Sequence, residues 1–78
     1  MNIRVIGPDK VILQATAEEV IVTTEGGEVG ILDRHAPLVG TLKPGKIRVK
    51  VEGVWTELQA SKGLLEVQSS IVTILVEE

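Results

Sequence analysis

The chain has 78 residues with eleven acidic and eight basic side chains, a formal net charge of −3 and a pI near 5.1. The absence of cysteine removes disulfides, thiolate catalysis and cysteine-ligated zinc, and a single histidine leaves no histidine set for a metal. The basic residues are scattered and the only aromatic is one Trp, so neither the basic stripe nor the stacking platform of a nucleic-acid surface is present.

A chain of this length forms one small domain and buries roughly 60% of the surface its unfolded form exposes. Hydrophobic content of 44% excludes disorder. Without Phe or Tyr, the core must be filled by Val, Ile and Leu, and β-branched residues favour strands. No apolar run approaches the ~20 residues that span a bilayer. Met1-Asn2-Ile3-Arg4 leads straight into alternation, without the pattern of a signal peptide. The expectation is a soluble domain that meets a membrane only through a partner.

In chain order, Ile3–Ile6 is a first strand, stopped by the Gly7-Pro8-Asp9 turn. Lys10–Thr16 follows as a strand, with Ala17-Glu18 as a weak break. Glu19–Thr24 is β-branched and apolar on both faces at its centre, which fits a strand inside a sandwich better than a buried helix. Glu25–Leu38 holds three of the eight glycines, the only histidine and one proline, and reads as two short loops flanking a brief strand.

Ala36–Leu42 is then short and apolar, ended by Lys43-Pro44-Gly45. Ile47, Val49 and Val51 alternate with Arg48, Lys50 and Glu52, Glu52-Gly53 turns the chain, and Trp55–Leu58 returns as the hairpin partner. Leu64–Val67, a turn at Gln68-Ser69-Ser70 and Ile71–Val76 complete the pattern. Eight to ten short strands without a helical period predict an all-β sandwich or flattened barrel.

Several motifs invite chemistry and fail on context. Gly40-Thr41-Leu42-Lys43-Pro44-Gly45-Lys46-Ile47 satisfies G-x-x-x-x-G-K, yet Ile47 stands where a magnesium-binding Ser or Thr belongs. A phosphate loop must also open a helix, whereas Ile47–Val51 alternates as a strand, so a Pro-Gly turn is the better reading. Asp33 and His35 resemble half a dyad, but no serine lies in a Gly-x-Ser-x-Gly elbow. The acidic pairs Glu18-Glu19 and Glu77-Glu78 read as solvated, since so small a core has no room for a sugar cleft. No catalytic residue, metal site or cofactor is expected.

Glu25-Gly26-Gly27-Glu28-Val29-Gly30-Ile31-Leu32 leads after two residues into His35-Ala36-Pro37-Leu38 and then Leu42-Lys43-Pro44-Gly45-Lys46-Ile47-Arg48-Val49. Together with Gly63-Leu64-Leu65-Glu66-Val67 and Val72-Thr73-Ile74-Leu75, this resembles the N-terminal β-sandwich domain of F-type ATP synthase epsilon subunits over essentially the whole chain. The resemblance implies one domain over residues 1–78, with the family's C-terminal helical hairpin absent. The inhibitory and ATP-binding roles tied to that hairpin are therefore not carried over. It further implies a non-catalytic rotor subunit joining the gamma subunit to the c-ring, peripheral on the cytoplasmic face of an energy-transducing membrane.

By the same resemblance, Glu28, Asp33, Arg34 and His35 are expected at one loop end on the c-ring, and Leu38, Gly40 and Leu75 against gamma. Asp33-Arg34 departs from the smaller or proline-containing turn of many relatives. Mean hydropathy of +0.28 and apolar residues at positions that normally face solvent, Ile21, Leu38 and Leu75, independently suggest a protein partner. Trp55 is expected as core or edge cover more than as an interface anchor. The alternative is a free-standing ligand-binding sandwich in which Arg34, His35 and Lys43 line a polar site.

Overall fold

Alternation dominates the computed structural model, which describes residues 1–77 and contains nine strands and no helix among them. These are β1 (Asn2–Ile6), β2 (Val11–Thr16), β3 (Glu19–Thr24), β4 (Gly27–Leu32), β5 (Leu38–Leu42), β6 (Gly45–Val51), β7 (Val54–Ala60), β8 (Gly63–Gln68) and β9 (Ile71–Val76). The all-β expectation holds, with boundaries within a residue or two of those read from the sequence. Of the terminal acidic pair, Glu77 is exposed and Glu78 lies outside the described residues.

The strands form one curled sheet in the order β2-β1-β9-β8-β5-β3-β6-β7, with β4 on the remaining edge of β3. Most neighbours are antiparallel; β1 and β9 run parallel, Ile3 beside Val72 and Val5 beside Ile74. The curl brings β2-β1-β9-β8-β5 over β4-β3-β6-β7, so a single aliphatic core fills the space between two layers. Ile3, Val5, Val20, Val22, Ile31, Val49, Leu65, Val67, Val72 and Ile74 are its most deeply buried members. Each side chain of this kind contributes about 1.5–3 kcal/mol when taken from water. Among the described residues, no polar or charged side chain is buried.

The turns carry the local chemistry that their geometry demands. Glu52 (φ 50°) and Gly53 (φ 79°) are both left-handed, the type I′ arrangement that matches the twist of the β6–β7 hairpin. The Glu18 carboxylate accepts a hydrogen bond from the Gly53 amide and so ties this turn to the start of β3. At the β3–β4 turn, the Thr24 hydroxyl accepts from the Gly26 amide at 3.1 Å and donates to the Gly27 carbonyl at 2.8 Å. After β4, the His35 amide bonds the Leu32 carbonyl at 3.1 Å, closing a turn that holds Arg34 at φ 65°.

Register sorts the connections into two ends. Ile6 lies beside Leu75, Leu75 beside Leu64 and Leu64 beside Thr41, while the Glu25 amide bonds the Thr41 carbonyl at 3.0 Å. The β1–β2, β3–β4, β5–β6 and β7–β8 connections therefore share one end. Met1, Glu18, Asp33 and Gly53 meet at the other, where the Met1 amino group pairs with Asp33 at 2.8 Å and bonds the Ala17 carbonyl at 3.0 Å.

Two substitutions test this account. A Cβ on Gly63 would overlap the Leu75 carbonyl oxygen and press on the Val76 Cα at 3.1 Å, and backbone cannot yield as a side chain would. Gly63→Ala is expected to cost about 2 kcal/mol or more, seen as a lowered urea midpoint; an unchanged midpoint would contradict the close approach. Arg34→Gly relieves a left-handed non-glycine residue but loosens the unfolded chain, for a net gain of about 0.5 kcal/mol. That corresponds to a melting temperature higher by about 2–4 °C; a fall would show that the Arg34 side chain supports the turn.

Candidate interaction site

β5 is bonded along its length to β8 and meets β3 at Leu42, and the alternation of its side chains decides which of them face outward. Leu38 lies opposite Val67 and Gly40 opposite Leu65, both deeply buried, and directly opposed residues share a face. Leu38 accordingly packs against the core, and Gly40 shares its face of the strand, with open space where a Cβ would stand. Both were expected against gamma; by parity neither lies on the outward face of β5. Their neighbour Val39, 76% exposed, stands there instead.

Leu75 does face outward, as expected, at 45% exposure. It lies directly across from Leu64 on β8, which is 54% exposed, and beside Ile6 on β1. Val39, Leu64 and Leu75, with Glu66 and Thr73 at the side, line a shallow groove of about 200 Å³ on the outer face of the first layer. The sequence reading missed Val39 and Leu64. In Leu38-Val39-Gly40-Thr41-Leu42 no charge marks the outer face, whereas Leu64 carries a recoverable signal, its two-residue offset from the outward Glu66.

Glu28 is exposed on β4 opposite Thr23. Asp33, Arg34 and His35 follow the far end of the same strand. Five residues of extended chain separate Glu28 from Asp33 by about 16 Å at ~3.3 Å per residue. The expectation of one loop end for all four is thus corrected: they lie along β4, with Glu28 near the Thr24–Gly27 turn and the other three at the Met1 end. Between them Leu32 is exposed on the same side of the strand as Glu28. His35 is half-buried, its Nδ1–H donating to the Ala36 carbonyl at 2.7 Å, while Asp33 is engaged by the Met1 amino group.

The outer face of the second layer is more polar. Glu57 on β7 pairs with Arg48 at 3.3 Å and Lys46 at 3.6 Å, and the Lys50 ammonium stands 5.9 Å from the Trp55 ring centroid. Lys46, Arg48 and Glu57 are exposed, where such pairs are worth about 0–1 kcal/mol. Trp55 covers the outer face of an edge strand, in keeping with the edge reading.

The polar pocket of the alternative reading does not form. Arg34 and His35 lie at the Met1 end, whereas Lys43 bonds the Thr23 carbonyl through its amide at the opposite end. A groove of about 630 Å³ is lined by Met1, Thr16, Ala17, Glu18, Asp33, Val51 and Glu52, and includes none of the three. No group of three or more potential metal ligands occurs among the described residues.

Residues 1–78 match the family described as ATP synthase, Delta/Epsilon chain, beta-sandwich domain. The chain is 44% identical over 78 residues to the chloroplastic ATP synthase epsilon chain of Phaeodactylum tricornutum, covering all of this chain and 59% of that one. To the ATP synthase epsilon chain of Synechococcus sp. (strain PCC 6716) it is 45% identical over 76 residues, covering 97% and 55%. It thus spans a little over half the length of these relatives. Among solved structures, it superposes with a TM-score of 0.92 and 29% identity on a chain of the Euglena gracilis mitochondrial ATP synthase OSCP/F1/c-ring cryo-EM structure, covering 97% of this chain and 49% of that one. A chain of the Tetrahymena thermophila mitochondrial ATP synthase central stalk and c-ring structure shares the fold at TM-score 0.84 and 18% identity. This chain belongs to the β-sandwich domain family of the ATP synthase delta and epsilon chains.

Proposed function

We propose that the chain acts as a non-catalytic rotor subunit of a proton- or sodium-translocating ATP synthase, attaching the gamma subunit to the c-ring so that rotation is transmitted as torque. The observation that carries this reading is the apolar groove of Val39, Leu64 and Leu75 on the outer face of the first layer. Apolar side chains of this size gathered on one outer face mark a protein contact. The gamma subunit is the partner proposed for it. The close superposition on a chain of an F1/c-ring assembly supports the reading.

The ring contact is proposed to run along β4. This strand is an edge, bonded only to β3, and shows Glu28 and Leu32 outward with the Asp33–His35 loop at its far end. Glu28 supplies a charge for a basic loop of the ring, Leu32 apolar area and Arg34 a second charge. Exposed ion pairs of this kind guide register and encounter rate more than they hold a complex. The domain would be peripheral, held at the cytoplasmic face of an energy-transducing membrane through the complex alone.

Two variants separate the surfaces. In reconstitution with gamma and c-ring, Glu28→Lys is expected to weaken ring attachment about threefold to tenfold by replacing attraction with repulsion, while gamma binding stays within twofold. Leu64→Asp, which asks a carboxylate to enter an apolar contact, is expected to weaken gamma binding at least tenfold and leave the isolated fold intact. Equal loss of both contacts in either variant, or loss of neither, would overturn the division.

A further inference from the structure

We draw no further inference here: the strongest candidate, the outer face of the β4-β3-β6-β7 layer where Leu32 and Trp55 flank Glu19 and Lys50, mixes apolar and charged groups, and nothing in the structure shows what covers it beyond the β4 edge already assigned.

Discussion

Two layers become one domain through the corner between β5 and β6. Thr24 lies against Leu42, the Glu25 amide bonds the Thr41 carbonyl at 3.0 Å, and the Lys43 amide bonds the Thr23 carbonyl at 3.1 Å. A few residues later β6 pairs with β3 again, Ile21 beside Arg48. The chain thus passes from one layer to the other without leaving β3, and Lys43-Pro44-Gly45 takes up the extra length. Proline is tolerated at such a break because no ladder donor is needed from it. Everything aliphatic in the core depends on this bend, since neither layer has a hydrophobic partner without the other.

A core of Val, Ile and Leu with no buried polar side chain among the described residues is strongly patterned and weakly directional. Its stability rests on burial, and its uniqueness rests on register, which the turns set. Left-handed Glu52 and Gly53, the Thr24 side chain over the β3–β4 turn and the close approach of Gly63 to Leu75 each fix one pairing. In such a domain, a one-residue slip would exchange inner and outer faces. A rigid body with a fixed outer face is what the proposed torque-transmitting role requires.

Much of this was legible in the sequence. Alternation in Ile47–Val51, β-branching in Glu19–Thr24 and Gly or Pro punctuation located all nine strands, and the resemblance in residues 25–49 identified the family. Two things were not legible. The five residues of β5 carry apolar groups at both parities, so only the long-range pairing with β8 shows that Val39 faces out and that Leu38 and Gly40 share the other face. The grouping of Glu28 with Asp33, Arg34 and His35 at one loop end was implied by the family resemblance, but the intervening strand β4 sets Glu28 near one end of the sheet and the other three at the opposite end. Outward faces are decided by partners far along the chain, which local pattern does not encode.

The central claim is that this sandwich alone holds the shaft. It is tested most directly by mixing the 78-residue chain with the matching gamma subunit and measuring mass across a size-exclusion peak. The account predicts a stable one-to-one complex. Two folded proteins that elute separately would contradict it.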